Sequence, residues 1–75
     1  MKELVEVIAK ALVDNPDQVS VEEKVNGNTV VLELHVDSSD MGKVIGKQGR
    51  IAKSIRNVVK AAATKTDKKV VVDIL

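Results

Sequence analysis

Leu4, Ile8, Ala11 and Leu12 fall on one stripe at helical spacing, with Glu3, Glu6 and Lys10 elsewhere, so the pattern predicts a helix from about Lys2 to Val13. Asp14-Asn15-Pro16-Asp17 stops it, because the residue before a proline is pushed out of the helical region. The period then changes from helical to alternating. Val19, Val21 and Val25 are interleaved with Ser20, Glu22 and Lys24, the pattern of a half-buried strand. Asn26-Gly27-Asn28 supplies residues that tolerate positive φ and reads as a hairpin turn. A second strand follows from about Thr29 to Val36. Val30, Leu32, Leu34 and Val36 point one way; Val31, Glu33, His35 and Asp37 point the other.

Asp37-Ser38-Ser39-Asp40 is rich in helix-capping residues and precedes a short helix from Met41 to about Ile45. Gly46-Lys47-Gln48-Gly49 interrupts it. A longer helix starts near Arg50, with Ile51, Ile55, Val58, Val59 and Ala62 as its expected buried face, and ends between Thr64 and Asp67. Val70 to Leu75 reads as a last strand. The order is helix, strand, strand, helix, helix, strand. A strand reached through helices pairs parallel, in the right-handed sense, whereas a hairpin pairs antiparallel. The expected architecture is α+β: one domain over residues 1–75, with a three-stranded mixed sheet, three helices on one face and a wet opposite face carrying Glu33 and His35.

Composition narrows the chemistry. There is no Phe, Trp or Tyr, so bases cannot be stacked on aromatic rings as many single-strand binders do. The absence of Cys excludes disulfides, thiolate metal sites and cysteine nucleophiles. No apolar run resembles a signal peptide or approaches the roughly 20 residues of a membrane span, and cytoplasmic residence is the simplest expectation. One histidine and no paired-acid arrangement provide no nucleophile–base set, so an enzyme is not expected, nor a cofactor, metal or small-molecule substrate.

The net charge of +1 conceals a strong asymmetry. Residues 1–40 carry three basic and nine acidic side chains. Residues 41–60 carry six basic ones (Lys43, Lys47, Arg50, Lys53, Arg56 and Lys60) and no acid. An anion would meet that block rather than the average.

At the centre of the block lies G-x-x-G between two helices, Val44-Ile45-Gly46-Lys47-Gln48-Gly49-Arg50-Ile51. Glycines at this spacing let the chain turn tightly and let an extended strand approach without meeting a Cβ. Amides at the start of the following helix favour a phosphate, and Lys47 and Arg50 add positive charge beside it. Other glycine-rich phosphate motifs do not fit. Gly42 and Gly46 have three residues between them where a P-loop needs four, and Gln48 follows Lys47 where a P-loop has Ser or Thr. The dinucleotide fingerprint needs a different glycine order.

Together with the element order, this segment resembles a type II KH domain, and over the whole chain it is similar to the KhpA family of small bacterial KH proteins. The resemblance implies a non-catalytic RNA-binding protein whose loop clamps about four nucleotides of single-stranded RNA. It assigns Gly46, Lys47, Gln48 and Gly49 to the sugar-phosphate backbone. Val44, Ile45, Ile51 and Ala52 would line the apolar groove under the bases, Lys43, Arg50 and Lys53 would neutralise phosphates, and Ser54 would add a hydrogen bond. Leu32 to Val36 would form the opposite wall, and the short Asn26–Asn28 loop would grip little. Ile45 and Ile51 read equally as core. Arg56 and Lys60 read as a solvated helix face, and His35 as a surface histidine. The family also implies RNA chaperone or post-transcriptional activity, homodimers or heterodimers with a larger KhpB (Jag/EloR)-like protein, and links to cell length and peptidoglycan homeostasis. The rival expectation is a protein-interaction module that pairs with such a partner without needing RNA.

Overall fold

Helix α1 covers Lys2–Leu12 and ends where Val13 turns extended, ahead of a 3₁₀ turn opened by Pro16. The computed structural model describes residues 1–75, the whole chain. Strand β1 (Ser20–Asn26) pairs antiparallel with β2 (Thr29–His35), in register from Ser20 opposite His35 to Asn26 opposite Thr29. Gly27, at φ +61°, occupies the first position of the two-residue hairpin loop, where a type II′ turn requires positive φ. Asp37 then caps a 3₁₀ turn by accepting a hydrogen bond from the Ser39 amide at 3.1 Å, and α2 (Met41–Ile45) follows. A 3₁₀ turn over Lys47–Gly49 leads into α3 (Arg50–Ala63), and β3 (Lys69–Ile74) returns parallel to β2.

The sheet order is β1-β2-β3, so β2 is hydrogen-bonded on both sides while β3 has a free edge. The expected α+β fold, with its mixed sheet and helical layer, is the observed one. Its core joins Val5 and Ala9 of α1, Val44 of α2, and Ile55 and Val59 of α3 to Val21, Val30, Leu32, Leu34 and Val72 of the sheet. Fully burying a leucine such as Leu32 stabilises by about 1.5–3 kcal/mol.

The helix faces are rotated from those expected. In α1 the fully buried residues are Val5 and Ala9, while Leu4, Ile8 and Leu12 are half-buried and Ala11 is exposed. In α3 the buried set is Ala52, Ile55, Val59 and Ala63; Val58 is 47% exposed and Ala62 is exposed. Ile55 and Val59 belong to both the expected and the observed face of α3. The observed stripe is thus displaced from the expected one by part of a turn. Val25 also emerges 57% exposed, although it shares a sheet face with buried Val21.

On the face away from the helices, Glu22, Glu33 and Asp73 stand side by side in register across all three strands. Glu33 and His35 are half-buried there, because side chains of the flanking strands cover the central one. Lys24 reaches Glu33 at 3.1 Å. No helix is long and apolar enough to cross a membrane.

Candidate nucleic-acid interface

The chain leaves α2 at Gly46 with φ +75° and ψ 176°, a conformation essentially confined to glycine. A second reason fixes the residue: a Cβ on Gly46 would lie 2.5 Å from Cγ1 of Ile51 and 2.9 Å from its Cβ. Ile51 therefore closes over the loop from the first turn of α3. Gln48 (φ +58°) and Gly49 (φ +73°) also have positive φ, and Lys47 and Gln48 at the apex are exposed. The amides of Gly46, Gly49 and Arg50 are held by the carbonyls of Gly42, Gly46 and Lys47. Those of Lys47 and Gln48, at the apex, take no part in the turn and cap hydrogen bonds. No side chain caps α3, whose first-turn amides point toward the same region.

The cations of the basic block are not equivalent. Lys43 Nζ is bound by the Asp14 carboxylate and lies 3.6 Å from Asp40 Oδ1. Its pKa is raised, chiefly by the hydrogen bond to Asp14. Asp40 is 1% exposed, the one buried charged residue. Its Oδ1 accepts the Asp14 amide at 3.2 Å, and its Oδ2 accepts the Asn15 amide and Asn15 Nδ2, both at 3.0 Å. Burial pushes this carboxyl's pKa up, but the Asn15 and Asp14 hydrogen bonds and Lys43 outweigh it, and the net shift is downward. This cluster fastens the end of α1 to the start of α2. Lys43 thus has two acidic partners already, and a phosphate would have to compete with both.

From Lys47 onward, no lysine or arginine has a carboxylate within 4.0 Å. Arg50 Nη2 approaches Gln48 Oε1 at 3.5 Å, leaving its charge uncompensated. Lys47, Arg50 and Lys53 all lie exposed beside the loop.

Helix α3 separates two grooves. Against α1 lies an apolar cleft of about 310 Å³ lined by Ile8, Leu12, Ile51, Ser54, Ile55 and Val58. Against β3 lies a second cleft of about 190 Å³ with a valine floor and a polar rim, lined by Arg56, Asn57, Lys60 and Val70–Val72. Helical spacing places Lys53, Arg56 and Lys60 along the second flank. Arg56 Nε donates to the Val72 carbonyl at 3.3 Å, so this carbonyl points outward. The Lys69 and Leu75 amides bond to Asn28 and Leu34 on the other side. Strand alternation then turns Val70, Val72 and Ile74 to the open edge.

The expected site residues are accordingly divided. Gly46, Lys47, Gln48, Gly49, Arg50 and Lys53 surround the loop. Ile45 is 37% exposed at the end of α2. Val44 and Ala52 belong to the core and present almost no surface. Ile51 and Ser54 face the α1 groove, and Ser54 Oγ donates back to the Arg50 carbonyl at 2.9 Å. The strand wall beside α3 is β3 rather than Leu32–Val36, because β2 is the central strand. Arg56 and Lys60 line a groove instead of a bare solvated face. The i, i+3, i+7 spacing of Lys53, Arg56 and Lys60 carried that signal in the sequence. The grouping able to offer several metal-donor atoms is Glu22, Glu33 and His35, whose donors lie within 4.8 Å of one another; Lys24 already holds Glu33.

Comparison with known proteins shows the family and the fold. The family profile described as KhpA/KhpB, KH domain, matches residues 2–74. The chain is 65% identical over 75 residues to the RNA-binding protein KhpA of Clostridium perfringens, covering 100% of both chains. It is 52% identical to that of Aquifex aeolicus, covering 100% of this chain and 95% of the relative. With that of Listeria monocytogenes it shares 45% identity, covering 100% and 99%. Among solved structures, Aquifex aeolicus Era bound to GDP and AlF4− aligns over 97% of this chain and 28% of its own, with TM-score 0.63 and 19% identity. Era in complex with MgGDPNP and nucleotides 1506–1542 of 16S ribosomal RNA aligns over the same shares, with TM-score 0.57. At that identity these two structures speak for the fold alone.

Proposed function

The chain belongs to the KhpA/KhpB KH-domain family, and from that membership and the loop geometry we propose that it is a non-catalytic protein that binds single-stranded RNA. The sugar-phosphate backbone crosses Gly46–Gly49, where the Lys47 and Gln48 amides and the Lys47, Arg50 and Lys53 side chains meet it. Bases run from there into the groove between α3 and β3, over an aliphatic floor and a strand edge that can hydrogen-bond to them. The observation that carries this reading is the exposed loop apex, beside cations that have no acidic partner. The acidic row Glu22–Glu33–Asp73 lies on the opposite face and repels a polyanion, directing it to the loop side.

Without aromatic platforms, one domain grips RNA weakly, at micromolar dissociation constants or above. Pairing two KH units on one strand strengthens binding through effective concentration. The apolar α1–α3 cleft, with Val58 47% exposed, favours such pairing, with a second copy or a KhpB-like protein. We place the protein in the cytoplasm as an RNA chaperone or post-transcriptional regulator, with the family's link to cell length and peptidoglycan homeostasis.

The test is titration of labelled single-stranded RNA against the wild type and the double variant Lys47→Asp/Gln48→Asp. Binding is expected to vanish in the variant at an unchanged thermal midpoint. The wild-type salt slope should be about 0.7 per phosphate neutralised. A variant that binds as tightly as the wild type removes the loop from the site. If RNA is not enriched above background after crosslinking in cells, the protein-interaction reading gains instead.

A further inference from the structure

The groove beside α3 does not end at Lys60. It opens into a second cleft of about 430 Å³ at the α3–β3 turn, lined by Lys60, Ala63, Thr64, Thr66, Lys68, Lys69 and Val70. The two clefts share Lys60 and Val70, so they form one continuous channel. Neither has a carboxylate in its lining. Lys60, Lys68 and Lys69 have no carboxylate within 4.0 Å, whereas Lys24 and Lys43 are both paired. From the loop, Lys53, Arg56 and Lys60 continue this run of uncompensated charge along α3. The 14 residues of α3 carry the track about 21 Å from the loop.

We propose that the RNA site extends beyond the loop clamp to a second phosphate station at the α3–β3 turn, formed by Lys60, Lys68 and Lys69. It is occupied by the same strand that the loop holds. This inference rests on the RNA-binding reading above and deepens it. The footprint becomes on the order of eight nucleotides rather than the four a loop of this kind clamps. The occupant is a single strand because the run of unpaired cations begins at the loop and leads into a channel walled by the open edge of β3. That edge offers the outward main-chain groups of Val70, Val72 and Ile74, with the Val72 carbonyl already bound to Arg56. The hydroxyls of Thr64 and Thr66 are turned to the Ala61 and Ala63 carbonyls, which shapes the turn and leaves lysines as the groups facing the strand.

The experiment compares unstructured four- and eight-nucleotide RNAs by NMR shift titration at several salt concentrations. It uses the wild type, Lys68→Gln/Lys69→Gln, and the loop variant Lys47→Asp/Gln48→Asp. The wild type should bind the eight-mer at least ten-fold more tightly than the four-mer, more than its extra binding registers provide. Lys68→Gln/Lys69→Gln should bind the four-mer as the wild type does. It should lose most of the eight-mer's advantage, with a salt slope lower by about 1.4 for two lost phosphate contacts. Shifts at Lys68–Val70 should appear with the eight-mer only. The proposal is overturned if the lysine variant keeps the wild-type affinity and slope for the eight-mer, or if those shifts are absent. Failure of the loop reading looks different: the loop variant would then retain four-mer binding, whatever happens at the turn.

Discussion

Replacing Gly46 with alanine should destabilise the fold far more than the same change at Gly49, although both glycines sit at nearly the same φ. At Gly46 the φ/ψ pair of +75° and 176° is one that an L-residue occupies only under strain, of order 1–3 kcal/mol. The new methyl would also lie 2.5, 2.8 and 2.9 Å from three atoms of Ile51, a side chain already packed against the core. Overpacking of that kind adds about 1–3 kcal/mol. At Gly49 the backbone is left-handed helical (φ +73°, ψ 15°) and no atom lies within 4 Å of a built Cβ, so only the strain of about 1–2 kcal/mol remains. Gly46→Ala should therefore cost roughly 2–6 kcal/mol, a large share of the about 4–11 kcal/mol available to a domain of this length. With no Trp or Tyr to report unfolding, the assay is urea denaturation followed by far-UV circular dichroism. In an Ile51→Ala background two of the three clashes disappear, and the cost of Gly46→Ala should fall by about 1–2 kcal/mol. Equal costs at the two glycines, or no coupling to Ile51, would refute the reasoning that Ile51 demands a glycine at position 46.

The ion pairs predict a division among the lysines. Lys43→Met should lower stability and leave RNA affinity within about two-fold, because Asp14 and Asp40 hold that charge; Lys53→Met should weaken RNA binding and leave the urea midpoint unchanged. Asp40 has a depressed folded pKa, so its contribution to stability is complete above the unfolded value near 3.8 and is lost as pH falls through the folded one. Asp40→Asn should therefore be less stable than the wild type at pH 7, and the gap should narrow only as pH falls below the unfolded value near 3.8, as measured by urea midpoints across the acid range. Leu32→Ala, at a side chain with no exposed surface, should cost about 2–5 kcal/mol by the same denaturation assay.

Much of this molecule is local in origin. The helical stripe up to Leu12, the alternation from Val19 to Val36, and the glycine at position 27 depend on neighbours a few residues away. They predicted the elements, their order and the mixed sheet that the structure has. The Gly46–Gly49 interruption between cationic helices was equally visible, since its signal is a spacing. The rest depended on partners far along the chain. Lys43 looks like its neighbours until folding brings Asp14 to it across 29 residues. Ala52 and Ala63 are buried while Val58 and Ala62 are exposed, because the elements packed against α3 decide which of its faces turns inward, and the helix's own periodicity does not report them. Arg56 and Lys60 acquire a groove only because β3 takes the edge next to α3 and leaves β2 enclosed. Pairing, packing and strand order are properties of the whole fold, and they decide which residues of a legible motif are free to meet a ligand.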